Sequence, residues 1–256
     1  MDLWSAVILG IVEGITEFLP ISSTGHLILA AKLLGRPQTE FLKSFEIVIQ
    51  LGAIMAVIFL YGKSLILNVE ILKRVACAFI PTAIVGFIFY KVIKHFLGNA
   101  ELVVWSLLLG GVFLIVFELV HRENEHNVKE IARIPYTTAA LIGVFQAMAM
   151  VPGVSRAAAT IIGGLILGVQ RKTIVEFSFL LAVPTMLAAA VLDILKSPQP
   201  FSSGEWGVLA VGFFTAFGVA IASIKFLLYF IKNHSFIIFG VYRILAAVAF
   251  WVFVLR

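Results

Sequence analysis

The chain has 256 residues, of which 61% are apolar and 13% charged, with a net charge of +5, whereas a soluble domain is roughly 45–50% apolar and about 25% charged. That composition excludes a water-soluble fold, and the basic residues sit in short clusters between apolar runs (Lys63, Lys73 and Arg74; Arg122, Lys129 and Arg133; Arg171 and Lys172), the pattern of membrane topology and not of a nucleic-acid surface. A single cysteine, Cys77, excludes an internal disulfide and a cysteine metal cluster.

Apolar runs separated by prolines, glycines and charges predict ten segments, at about 3–19, 21–34, 41–61, 75–97, 102–120, 137–151, 157–169, 174–195, 206–230 and 236–255. All are read as helices, because only helices or closed barrels satisfy backbone groups in lipid and no period-2 alternation is present. No basic residue precedes the first run, which carries Glu13 and Glu17, so no cleaved signal peptide is expected. Segments 21–34 and 157–169 fall short of the ~20 residues that cross a bilayer core. Each follows a proline break, at Pro20 and Pro152.

The two halves match in detail. Gly10-Ile11-Val12-Glu13 aligns with Gly143-Val144-Phe145-Gln146, Pro20 with Pro152, Ser23 with Ser155 and Phe45 with Phe177, at an offset of 132 or 133. This predicts one membrane domain over 1–256, with a first repeat at about 1–120 and a second at about 137–256. Each half crosses three times if the short segments are re-entrant hairpins and five times if they span. Either number is odd, so the second half enters upside down relative to the first, the arrangement in which interrupted helices meet near the bilayer midplane. The predicted fold is therefore all-α and polytopic, an inverted-topology repeat with re-entrant helix hairpins. Loops at 62–74, 121–136, 170–173 and 231–235 carry nine Lys or Arg against about seven on the other side, which places them in the cytoplasm and both termini outside. The mixed-charge segment from His121 to Arg133 reads as a solvated connection.

Glu13 and Glu17 are four residues apart and point to one helix face. A charge at mid-membrane costs roughly 2.5–3.5 kcal/mol on insertion scales, so the pair is expected to hold a divalent cation such as Mg2+ or Ca2+, or a proton; a structural pair neutralised by an arginine is the alternative. Pro20 then ends or kinks the helix. Ser22, Ser23 and Thr24 are the usual chemistry for capping the next one, and a bare helix start at membrane depth is an anion site suited to phosphate. Ser23 and His26 are three apart and can exchange a proton if the helix begins here. The second half supplies Ser155, Arg156 and Thr160. The guanidinium of Arg156 stays charged and fits phosphate oxygens in two-point contact, or else neutralises Glu13 or Glu17. Glu46, Gln50 and Glu176 are candidate supporting groups, and helix-end solvation accounts for Asp193. Arg243 is expected to pair with a carboxylate. The phenylalanines, 23 in number, are expected to face lipid.

The run Glu13-Gly14-Ile15-Thr16-Glu17-Phe18-Leu19-Pro20-Ile21-Ser22-Ser23-Thr24-Gly25-His26, with Pro152-Gly153-Val154-Ser155-Arg156, closely resembles the bacterial undecaprenyl-diphosphate phosphatases of the bacitracin-resistance type. Phe45 to Gly52, Glu176 to Pro184 and Tyr242-Arg243 extend the resemblance along the chain. It implies removal of the terminal phosphate from a polyprenyl diphosphate in the bacterial cytoplasmic membrane, with a divalent metal and a site opening to the outer face. By that resemblance Glu13 and Glu17 match the family's glutamate motif, Ser23 and His26 its serine and histidine, and Arg156 its arginine. The family's Ser-Arg-Ser ends here in Ala157, which removes one hydroxyl contact. The expected chemistry is attack by Ser23, activated by His26, on the distal phosphorus, with Ser22, Thr24, Ser155, Arg156 and Thr160 around the phosphate and Glu13 and Glu17 on the metal; attack by an activated water is left open. A polyprenyl-phosphate transporter is the alternative function, since broken helices are also transporter features. A homodimer is left open, and no nucleic-acid partner is expected.

Overall fold

Backbone groups in lipid must be satisfied within the chain, and the apolar segments among the described residues do so as helices. The structure, a computed structural model, describes residues 1–89, 92, 96, 99–124, 127–196 and 202–255. Among the described residues the α-helices are α1 (Leu3–Thr16), α2 (Ser23–Leu33), α3 (Glu40–Leu67), α4 (Val69–Ile88), α5 (Ala100–Val120), α6 (Tyr136–Met148), α7 (Arg156–Ile166), α8 (Arg171–Lys196), α9 (Ser203–Phe230) and α10 (Ile237–Phe250), with a 3-10 turn at Ile131–Arg133 and a π turn at Trp251–Leu255. Helices α3, α4, α5, α8 and α9 are long and apolar enough to cross a membrane. The chain is an all-α, multi-pass membrane protein.

Two expected boundaries move. The loop expected at 62–74 shrinks to Asn68, because α3 runs on to Leu67 and the Asn68 side chain caps α4 by accepting from the Glu70 and Ile71 amides at 3.1 and 3.3 Å. Lys73 and Arg74 therefore lie on the first turns of a helix. Arg74 is buried, donates to the Ile134 carbonyl at 2.7 Å and pairs with Glu70 at 2.6 Å. The segment expected at 75–97 is helical to Ile88, and most of its remainder lies outside the described residues.

The halves exchange partners. Helix α1 packs on α9 and α4 on α6, while α5 packs on α10 and α3 lies between α8 and α9. Small residues let these backbones approach. A Cβ on Gly10 would lie 2.9 Å from the Gly212 carbonyl oxygen, and one on Gly143 would lie 1.9 Å from that of Ala78. The matched glycines thus do the same job at the α1–α9 and α4–α6 crossings. The phenylalanines divide, contrary to a uniform lipid-facing reading: Phe59, Phe87 and Phe214 are exposed, whereas Phe18, Phe45, Phe177 and Phe179 are fully buried. Phe18 and Phe179 meet edge to face, with ring centroids 5.3 Å apart, beneath the first helix break.

Candidate active site

Two breaks in the chain face each other. Helix α1 stops at Thr16, whose hydroxyl turns back on the Val12 carbonyl at 2.7 Å, and residues 17–22 lead into α2. Helix α6 stops at Met148, and residues 149–155 lead into α7. Each break ends on a serine with positive φ, Ser22 at +72° and Ser155 at +77°, a region that non-glycine residues rarely occupy. The backbone therefore pairs Ser155 with Ser22, whereas the sequence alignment pairs it with Ser23. In the second break Gly153 has φ +91°, and a Cβ there would lie 2.7 Å from Ser106 Cβ, so only glycine fits.

Glu17 joins the two breaks. Ser23 Oγ donates to Glu17 Oε2 at 2.6 Å, and Arg156 Nη2 donates to Glu17 Oε1 at 3.2 Å and to the Glu17 carbonyl at 3.4 Å. The side chains of Glu17 and Arg156 are only 5% and 12% exposed, so this ion pair is little screened by water. On its other side, Arg156 Nη1 donates to the Ser178 carbonyl at 2.9 Å. Its Nε is buried without a partner, a donor left over for a ligand oxygen. Thr160 Oγ1 and Ser178 Oγ are 2.6 Å apart, so Thr160 supports Arg156 through Ser178. The Ser155 hydroxyl caps α7 by accepting from the Ala158 amide at 3.2 Å. Ser22 makes no such cap bond, and Thr24 is half-buried on the first turn of α2 and joins none of these bonds.

His26 is not bonded to Ser23, as the helical spacing suggested. Its Nδ1 lies 2.7 Å from the Ser22 carbonyl and its Nε2 lies 2.7 Å from the Tyr242 hydroxyl. A carbonyl only accepts, so Nδ1 carries the proton, and in the neutral ring the bare Nε2 accepts from Tyr242. Arg243 also departs from expectation. It is fully buried, and its guanidinium is bonded to main-chain oxygens of Pro20, Ser106, Leu107, Gly153 and Val154 in place of the expected carboxylate.

Glu13 is fully buried, and neither carboxylate oxygen has a partner; the charges close enough to act on it are Glu17, Glu46 and Arg156. Orphaned carboxylate oxygens suit a hard cation. Among the described residues no three His, Cys, Asp or Glu side chains converge as a full cage. The matched residue of the other half, Gln146, donates to the hydroxyls of Thr82 at 3.0 Å and Thr185 at 2.9 Å. It ties α6 to α4 and α8. Ser178 and Tyr242 were not singled out from the sequence as site residues. The signal for Ser178 was its place after Phe177, since the expected alignment of the halves sets it opposite Glu46, which follows Phe45.

The profile of the family described as Bacitracin resistance protein BacA matches residues 6–249. The chain is 55% identical over 251 residues to an undecaprenyl-diphosphatase of Sulfurihydrogenibium sp., covering 98% of this chain and 99% of that protein. It is 53% identical over 256 residues to one from Aquifex aeolicus and 51% identical over 255 residues to one from Persephonella marina, each match covering 100% of both chains. This chain belongs to the bacitracin resistance protein BacA family.

Proposed function

We propose that this membrane enzyme is an undecaprenyl-diphosphatase, as its relatives are named, and that it releases inorganic phosphate from undecaprenyl diphosphate to leave the monophosphate carrier. The observation that carries the reading is the contact of Glu17 with both Ser23 and Arg156, a nucleophile, a base and a cationic clamp on phosphate chemistry's usual pattern. In this reading Glu17 takes the proton of Ser23 as Oγ bonds the distal phosphorus. The bond from that phosphorus to the bridging oxygen breaks, and the lipid monophosphate leaves. Water then attacks the phosphoserine phosphorus, its oxygen leaving with inorganic phosphate and one of its protons passing to Ser23 Oγ, and Glu17 gives up the proton it took to solvent. Arg156 turns its donors to the equatorial oxygens, with Nε already free. His26 is held with Nδ1 on the Ser22 carbonyl and Nε2 on the half-exposed Tyr242 hydroxyl; as imidazolium it would carry a second proton on Nε2 and give it to the leaving oxygen. Glu13, with Glu17, would hold a divalent cation, which neutralises phosphate charge when bound.

We read the chain as an inverted repeat whose re-entrant hairpins are α1–α2 and α6–α7. The support is fourfold: helices of 14, 11, 13 and 11 residues, each shorter than the ~20 residues of a crossing; the matching serines with positive φ; the glycine-matched crossings; and the exchange of α1–α9 for α6–α4. The loop charges support both termini outside, and the resemblance to the family implies a site that opens to the outer face of the cytoplasmic membrane. Phosphate release from undecaprenyl diphosphate in detergent, where no transport occurs, tests the reading against a transporter. Binding without release sinks it.

A further inference from the structure

The guanidinium of Arg243 carries a charge with no carboxylate partner among the described residues. It lies in α10, fully buried, and one nitrogen bridges the two helix breaks: Nη1 donates to the Pro20 carbonyl at 3.3 Å and to the Val154 carbonyl at 3.0 Å. Nη2 donates to Gly153 and Ser106, each at 2.9 Å, and Nε to Leu107 at 3.4 Å. Only arginine offers five donors in a fixed planar fork. The helix opposite is cut away to admit it, since a Cβ on Gly110 would lie 2.2 Å from Nη2 and 2.9 Å from Cζ. Burying a cation without a counter-ion is costly, and two helices crossing in lipid pack well through apolar and small residues alone. The bonds explain the expense, because Pro20 lies three residues before Ser23 and Val154 two before Arg156.

We infer that Arg243 is a positioning residue that sets the separation between Ser23 and Arg156 by holding both breaks on one guanidinium. It acts through the main chain and does not touch substrate. The inference rests on the phosphatase reading above. Catalytic geometry is unforgiving, and a misplacement of about 1 Å can cost a hundredfold in rate, so a residue that fixes two breaks against each other acts on kcat more than on KM.

The test is phosphate release against substrate concentration for Gly110→Ala, Arg243→Lys and the double variant, with thermal stability in the same detergent. Gly110→Ala leaves every charge in place and only pushes a methyl group into the guanidinium. Each single variant should lower kcat at least about tenfold while KM stays within about threefold and the unfolding temperature is held. The double variant should be no worse than the more severe single, because both act through one group. Wild-type kcat in Gly110→Ala, losses that multiply in the double variant, or a Gly110→Ala loss that follows unfolding would each overturn the inference. If Arg243→Lys does not fold, Gly110→Ala alone decides. A wild-type protein that releases no phosphate would remove the underlying reading instead.

Discussion

Ser23 and Arg156 hold the same place in two different helices: each is the first residue after a serine in positive φ, Ser23 opening α2 after Ser22 and Arg156 opening α7 after Ser155. Glu17 bonds both. The two halves thus bring matching helix starts together with different chemistry on each, a hydroxyl proposed as nucleophile on one and a guanidinium proposed as clamp on the other. The positive end of each helix adds to the clamp wherever phosphate sits.

The strain at the two serines is unequal in its compensation. A non-glycine residue held in a sparse backbone region costs about 1–3 kcal/mol. Ser155 recovers part of this through its cap to Ala158, whereas Ser22 makes no cap bond. Ser22→Gly should therefore raise stability by about 1 kcal/mol, and Ser155→Gly should gain less because a cap is lost. Thermal unfolding of both variants in one detergent decides it. A lower unfolding temperature for Ser22→Gly would show that no strain is stored there.

Ser23→Ala should abolish turnover, since the hydroxyl 2.6 Å from Glu17 is the proposed nucleophile on phosphorus. Rapid quenching of a single turnover with labelled substrate should trap phosphoserine in the native enzyme and none in the variant. Substantial turnover by Ser23→Ala would hand the attack to water.

Glu17→Gln should lower kcat by about 10²–10⁴-fold, the usual worth of a positioned base. His26→Gln, acting at the leaving oxygen, should slow formation of the phosphoserine, the step in which that oxygen departs, and spare its hydrolysis by water. Glu13→Gln should flatten the response to added Mg2+ after chelation, because an amide keeps the shape and loses the charge that holds a hard cation. An unchanged metal titration would take Glu13 out of the cation site.

The helices of the described residues and both proline breaks were legible in the sequence because apolar periodicity and proline act locally. Glu17 and Arg156 stood out because a charge in a membrane segment demands a reason, and Ser23 because a hydroxyl run after a proline break marks a helix start. What sequence could not give is direction. Ser23 and His26 share a helix at a spacing that permits contact, yet a kinked entry at Ser22 turns His26 toward Tyr242, 216 residues away. Arg243 drew a carboxylate partner by charge logic, but the broken helices leave main-chain oxygens free, and those are visible only once both breaks are built. The α4 start was missed for a smaller reason: Glu70, Lys73 and Arg74 look like a loop until Asn68 is seen to cap them into a helix.

Arg156→Lys separates charge from geometry. The arginine reaches Ser178 on one side and Glu17 on the other, and keeps Nε free between them. A lysine ammonium is a single point on a flexible stem, so it can keep the Glu17 contact or the Ser178 contact and cannot present a planar pair of donors to the transferring phosphoryl group. Those lost contacts matter most in the transition state, so kcat should fall by at least about a hundredfold while KM changes little. Stability should hold, because the charge still balances Glu17. Arg156→Ala should lose turnover and also about 3–5 kcal/mol of stability, the usual result of leaving one partner of a buried pair alone. Glu17→Gln in the Arg156→Ala background should recover part of that stability and none of the activity, since it removes the stranded carboxylate without restoring a clamp. Phosphate release and thermal unfolding on the four proteins give the comparison. A fully active Arg156→Lys enzyme would show that charge alone suffices and that two-point contact is not part of the mechanism.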